Sequence, residues 1–260
     1  MESGKRVSPF VSLPVTRLGS DGATDMVVVE EPLEILINGR NLAITMRTPG
    51  NDEELAAGFL FTEGLIKSAD EILSISGAGN QVSVELASPP EVERRLTMTS
   101  ACGVCGKASI DSLYANGCKA VPQGDFTITA ATLRKLPEIL RDAQTVFHQT
   151  GGLHAAGLFD AEGHLELIRE DVGRHNAVDK IIGARLRDGS PVSNRLLLVS
   201  GRASFELIQK AAMARIPMLA AVGAPSTLAV ETAQRFNLTL VGFLRHDRFN
   251  IYTRPERISC

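Results

Sequence analysis

From residue 155 onward the chain alternates between short apolar strands and amphipathic helices, and no other feature narrows its fold so sharply. Ala155–Phe159 and Leu165–Arg169 read as two strands joined by an Ala161-Glu162-Gly163 turn. A helix over Val172–Leu186 then leads to a strand over Arg195–Val199, and a helix over Phe205–Arg215 to a strand over Met218–Val222. A helix over Leu228–Phe236 and a strand over Thr239–Leu244 complete the series. Strands alternating with helices of this length predict a layered α/β domain whose later strands are mostly parallel. It opens with a helix over Ala130–Phe147, where Leu133, Leu136, Ile139, Leu140, Ala143 and Phe147 recur at helical spacing.

The earlier chain follows a different pattern. Residues 1–25 read as a flexible arm and 26–96 as a smaller α+β domain. Met26–Glu31 and Leu33–Ile37 read as strands, and Asn38-Gly39 is a hairpin turn to a returning strand over Leu42–Met46. Asp52 suits the cap of a helix from Glu53 to Thr62 that Gly64 closes, and Gln81–Leu86 reads as one more strand. Residues 97–125 read as a mobile Cys-x-x-Cys loop and linker, rich in Thr, Ser, Ala and Gly over Thr97–Ser109, and the α/β domain occupies 126–260.

With 260 residues, 44% of them hydrophobic, the chain can bury a sizeable core. A net charge of −3 supplies no global basic field, so neither a nucleic-acid polymer nor a membrane surface is expected as partner. The first residues lack the apolar run of a signal peptide, and Ile216–Ala224 is far too short for a membrane span. Four cysteines in such a chain are not a disulfide framework, and a cytoplasmic location is expected.

The linker carries Cys102-Gly103-Val104-Cys105-Gly106-Lys107. A Cys-x-x-Cys pair holds half a zinc site, works as a redox dithiol or presents a thiolate for sulfur transfer. Zinc needs four ligands, but only Cys118, Cys260 and scattered histidines remain, so no tightly held metal is expected. A redox dithiol wants a strand-to-helix setting that the linker lacks. The glycines leave the sulfurs accessible, and Lys107 favours the thiolate.

In the helix from Val172, the stripe through Val178, Ile181 and Ile182 turns charged at Asp171, Arg174 and His175, with Asp179 a turn later. Buried charge is costly unless paired or facing a ligand. Asp171 alone suits an N-cap. Polar turns also follow the later strands: Ser200–Ser204 with Arg202, Gly223–Thr227, and Arg245-His246-Asp247-Arg248. Ligands bind at that sheet edge in open α/β folds, and helix N-termini with arginines suit phosphate. None of these turns is a Walker loop or a dinucleotide fingerprint.

The cysteine loop resembles that of the formate dehydrogenase accessory sulfurtransferases, the FdhD family. Glu31-Pro32-Leu33-Glu34, Arg47-Thr48-Pro49-Gly50, Ala57-Gly58-Phe59-Leu60, Glu63-Gly64 and Gly151-Gly152-Leu153-His154-Ala155 fit it as well. So do Asp171 to Lys180 and Ser200 to Glu206. The resemblance implies a sulfur carrier that takes sulfur from a cysteine desulfurase as a cysteine persulfide. The carrier passes it to the molybdenum bis(guanine dinucleotide) cofactor, a bound acceptor, for the client formate dehydrogenase. By correspondence Cys102 carries the persulfide, Cys105 assists, and Phe243, Leu244, Arg245, His246, Asp247 and Arg248 bind the acceptor. The resemblance further implies a cytidine-deaminase-like larger domain and a homodimer. Arg174, His175 and Arg202 are the further candidates for pyrophosphate contact. A zinc-dependent deaminase-like hydrolase is the rival enzyme, but it expects His-x-Glu, and His154 is followed by Ala155-Ala156. A cofactor-binding chaperone without sulfur transfer is the other alternative.

Overall fold

The computed structural model describes residues 8–18, 20–88, 96–97, 110–111, 113–114, 116–124, 126–190 and 192–260. Where a flexible arm is expected, β1 (Phe10–Arg17) and β2 (Ser20–Val28) form an antiparallel hairpin. Val11-Ser12-Leu13 alternates apolar with polar residues, which is the strand period. The expected strand over Met26–Glu31 is therefore divided between β2 and the next strand.

The smaller unit is built from β3 (Glu31–Ile37), β4 (Arg40–Arg47), α1 (Asp52–Thr62), β5 (Ile72–Ala78), β6 (Gln81–Leu86) and β7 (Leu96–Thr97). Its sheet has the order β5-β6-β3-β4-β7. Leu33, Ile35 and Ile37 alternate inward and meet Leu55, Ala56, Phe59 and Leu60 of α1. Asn38 and Gly39 turn the β3–β4 hairpin with φ of 47° and 75°, the left-handed pair such turns require. Asp52 does not cap α1. Asn51 stands at the cap with φ 57° and makes no side-chain cap bond. Asp52 instead takes the Nε of Arg47 at 3.0 Å, because Arg47 is fully buried and needs a counter-charge.

The larger unit runs β8 (Ile128–Thr129), α2 (Ala130–Ala143), α3 (Thr145–Thr150), β9 (His154–Phe159), β10 (Leu165–Asp171) and α4 (Arg174–Asp188). It continues with β11 (Leu196–Val199), α5 (Phe205–Met213), β12 (Met218–Ala221), α6 (Thr227–Arg235), β13 (Thr239–Gly242), β14 (Asn250–Thr253) and β15 (Ile258–Ser259). Six strands form one sheet in the order β10-β9-β11-β12-β13-β14. Only β11, β12 and β13 run parallel, since the β9–β10 and β13–β14 pairs and the β9–β11 pair are antiparallel. Val178, Ile181, Leu207, Ile208, Ala211 and Ala229 cover one face of this sheet. Leu133, Leu136 and Leu140 of α2 cover the other, so the layers are helix, sheet, helix.

The single helix expected over Ala130–Phe147 is broken at Gln144. The Glu170 carboxylate accepts from the N–H groups of Val146 (3.0 Å) and Phe147 (2.8 Å) and starts α3 as a separate helix.

Helices α1 and α4 cross where both lack side chains. A Cβ on Gly58 would lie 1.9 Å from the Asp179 carbonyl oxygen, and one on Gly183 would lie 1.8 Å from that of Glu54. Two buried ion pairs flank the crossing. Lys180 Nζ meets Asp171 Oδ2 at 2.7 Å and donates to the Thr48 carbonyl at 3.0 Å. Lys210 Nζ meets Asp179 Oδ2 at 2.9 Å and donates to Thr62 Oγ1 at 3.0 Å. Each pair therefore ties the smaller unit to the larger. Among the described residues no helix is long and apolar enough to cross a membrane.

Candidate functional site

The carboxyl ends of β10, β11, β12 and β13 and the first residue of β9 share one edge of the six-stranded sheet, because β9 is antiparallel to β10 and β11. The turns there are laced by backbone hydrogen bonds. Gly223 N–H donates to Gly201 O at 2.8 Å, and Phe243 N–H donates to Gly223 O at 3.0 Å. Gly223 permits this approach, since a Cβ would lie 2.9 Å from Gly201 O. Three helices, α4, α5 and α6, start at this edge and turn their N–H ends toward it.

Asp171, Asn176 and Asp179 are structural rather than ligand-facing. Asp171 is wholly buried, and Oδ1 accepts from Gly173 N–H (2.8 Å) and Asn176 Nδ2 (2.9 Å). Its Oδ2 accepts from Thr48 N–H at 3.2 Å. The N-cap position of α4 falls to Gly173, and Asp171 instead fixes the preceding turn. The charged stripe seen in the sequence is thus largely answered by Lys180 and Lys210, which sequence spacing does not pair with it.

Arg174 and His175 emerge from that turn at the edge. Among the described residues the side chains of Arg174, Arg202 and Arg248 have no hydrogen-bond or ion-pair partner. Arg245 is engaged, donating to the carbonyls of Val222 (2.5 Å) and Leu244 (3.0 Å). Phe243 has φ 53° and is 42% exposed, so an aromatic ring is held outward at a backbone angle that non-glycine residues rarely adopt. His246, Asp247 and Arg248 are exposed with it. Leu244 is buried in the core, so its side chain does not face a ligand.

Two further groups belong to this edge and were not singled out as ligand contacts from the sequence. His154 is half-buried, with Nδ1 beside Gly201, and burial followed by the Arg174 charge holds its pKa below the usual histidine value. Glu206, in the first turn of α5, lies 3.8 Å from His175 Nε2. His175 is the main cause that brings the Glu206 carboxyl down to about 2. An alternation of strand and helix marks the edge, but it does not mark which polar residues meet there.

Cys102 and Cys105 lie outside the described residues. On their N-terminal side, β7 pairs in parallel with β4, Leu96 beside Ala43 and Thr97 beside Ile44. Further along β4, the Met46 carbonyl accepts from Asn176 Nδ2 at 2.7 Å, so β4 heads toward the start of α4. Cys118 is buried, and burial raises its thiol to about 12, which leaves it protonated and unreactive.

The arrangement as a whole is similar to a crystal structure assigned as a formate dehydrogenase accessory protein from Desulfotalea psychrophila, with a TM-score of 0.77 and 29% identity over 96% of this chain and 98% of that one. That defines the class: a mixed α/β protein with the fold of a formate dehydrogenase accessory protein. The FdhD/NarQ family model matches residues 28–259. "Sulfur carrier protein FdhD" of Mycobacterium tuberculosis is 50% identical, covering 90% of this chain and 92% of the relative. The protein of the same name from Streptomyces avermitilis is 51% identical over 92% of each chain, and that from Sulfolobus acidocaldarius 45% identical over 90% and 92%. The chain belongs to the FdhD/NarQ family.

Proposed function

We propose that this protein is a sulfur carrier in the maturation of formate dehydrogenase, working through a persulfide on Cys102 with Cys105 assisting. The observation that carries the reading is the 50% identity, across nine-tenths of the chain, to proteins named as sulfur carriers. The donor is a cysteine desulfurase. Its own cysteine persulfide is attacked at the outer sulfur by the Cys102 thiolate; the donor S–S bond breaks as the new one forms, and the donor cysteine leaves as a thiolate. The acceptor is the molybdenum bis(guanine dinucleotide) cofactor, received as a substrate at the sheet edge. Arg174, Arg202 and Arg248, without partners among the described residues, supply charge for its pyrophosphates, and the starts of α4, α5 and α6 supply aligned N–H groups. The exposed ring of Phe243 offers a face on which a base stacks.

Geometry of the chain supports the pairing of cysteine and edge. Thr97 runs beside β4 in the direction of the edge. Five residues later comes Cys102, a contour of at most about 18 Å from Thr97. In the same reading the larger unit is a cytidine-deaminase-like layer, the protein works as a cytoplasmic homodimer, and formate dehydrogenase is its client.

The test is mass spectrometry after incubation with a desulfurase and cysteine. One added sulfur atom is expected, removed by a thiol reductant and absent from Cys102→Ala. No adduct on Cys102 or Cys105 of the parent protein overturns the carrier reading.

A further inference from the structure

Gly173 stands at the N-cap of α4 and has no side chain to cap it, so other groups must satisfy the turn before the helix. Asp171 Oδ1 takes the Gly173 N–H at 2.8 Å, while the Val172 N–H is met from the smaller unit. Thr48, which follows the last residue of β4, is buried and spends its N–H, hydroxyl and carbonyl on this one place. Its Oγ1 accepts from Val172 N–H at 3.1 Å, its N–H donates to Asp171 Oδ2 at 3.2 Å, and its carbonyl accepts from Lys180 Nζ at 3.0 Å. Neighbouring residues of β4 join in. Asn176 Nδ2 donates to the Met46 carbonyl at 2.7 Å, and Thr45 Oγ1 donates to Asn176 Oδ1 at 3.3 Å.

Other polar contacts between the units fall elsewhere: Thr62 meets Asp179, Glu53 meets Arg187, and Glu54 meets Arg169. Thr48 differs in what it joins. The residues it grips lead directly into Arg174 and His175. Its own strand is the one beside which β7 lies, with Thr97 against Ile44, and from Thr97 the chain runs on to Cys102. One buried residue therefore couples the strand pair that leads to the cysteines with the turn that presents Arg174 and His175 at the sheet edge.

We propose that Thr48 is a positioning residue for sulfur delivery, its hydroxyl keeping Arg174 and His175 in register with β4; this rests on the carrier reading above. In delivery the outer sulfur of the Cys102 persulfide leaves for the metal of the acceptor. The S–S bond breaks, Cys102 keeps the bonding pair as a thiolate, and the reduced metal supplies the electron pair that turns the sulfur into sulfide. Loading of Cys102 does not use the edge. Nor does release to cyanide, which takes the same sulfur atom away as thiocyanate and leaves the Cys102 thiolate.

The test compares Thr48→Val, which keeps the shape and removes the hydroxyl, with Thr48→Ser, which keeps the hydroxyl. Three rates are read on each full chain: loading by a desulfurase with cysteine, thiocyanate formation from the loaded protein, and single-turnover delivery to formate dehydrogenase carrying its unsulfurated molybdenum cofactor. A misplacement of about 1 Å costs about a hundredfold in rate, so delivery by Thr48→Val is expected to slow by about tenfold or more. Its loading and thiocyanate formation should match the parent, and Thr48→Ser should restore delivery. Unchanged delivery in Thr48→Val, an equal fall in all three rates, or no restoration by serine overturns the positioning role while the carrier reading stands. If Thr48→Val does not fold, Thr45→Val decides: slower delivery with unchanged loading supports the role, and unchanged delivery overturns it. If the parent protein takes up no sulfur, the carrier reading falls, and this inference with it.

Discussion

Replacing Gly183 by alanine tests the way the two units are joined. The added Cβ would sit 1.8 Å from the Glu54 carbonyl oxygen and 2.7 Å from the Gly58 nitrogen, both of them backbone atoms. Ordinary contact needs about 3.4 Å or more, so α1 and α4 must separate by roughly 1.5 Å. Alanine itself favours the helix by about 1 kcal/mol, which works against the expected effect. Overpacking costs about 1–3 kcal/mol. The separation also strains the bonds of Asp179 to Thr62 (2.8 Å) and Lys210 (2.9 Å), which lie beside the crossing. A buried ion pair that is fully broken costs about 3–5 kcal/mol, and partial loosening a share of that. The net expectation is a loss of about 2–4 kcal/mol, or a melting temperature lower by about 5–15 °C in a chain of this size. Urea unfolding followed by circular dichroism measures it. A variant as stable as the parent, or more stable, would mean that helix propensity outweighs the contact, and the close crossing would not be a determinant of stability.

Three other outcomes follow from buried and charged groups. Lys210→Met leaves Asp179 buried without its cation and lowers stability by about 3–5 kcal/mol at neutral pH. Burial already raises the Asp179 pKa in the fold, so protonation favours the folded state; the deficit relative to the parent should shrink as pH falls, seen in urea midpoints at several pH values. Glu206 behaves in the opposite sense: its pKa falls from 4.5 to about 2, so its stabilisation is present above 4.5 and lost as pH drops toward 2. Solvent screening of this half-exposed group reduces that contribution to about 1 kcal/mol, and Glu206→Gln should flatten the acid limb of the melting curve accordingly. Cys118, with its thiol raised to about 12, should resist alkylation at pH 8 until the protein is unfolded, as peptide mapping after a timed iodoacetamide pulse will show.

The sequence made the sheet edge legible because strand and helix periods differ, and the alternation after residue 155 leaves few ways to layer them. Asn38-Gly39 and the Gln81–Leu86 alternation were equally direct signals, and both elements formed as expected. Other elements left no such signature. Ile72–Ala78 mixes serine and glycine into its strand period, and the break at Gln144 depends on Glu170, which arrives from β10. Charged residues at the start of α4 were visible, but their partners were not. Asp171 and Asp179 look like ligand contacts until Lys180 and Lys210 are brought against them. Arg174, Arg202 and Arg248 remain without partners among the described residues, and the candidate contacts that survive are those with nothing to neutralise them. Leu244 left the candidate set for the reverse reason, since its side chain is spent on the core.

Sulfur movement itself is the most direct test of the account. The protein is loaded with radiolabelled sulfur from a desulfurase, freed of donor, and mixed in a single turnover with formate dehydrogenase carrying its unsulfurated molybdenum cofactor. The label is predicted to leave Cys102 and appear on the client's cofactor as formate oxidation rises, with both events absent for Cys102→Ala. A label that stays on the carrier while the client becomes active would contradict the account.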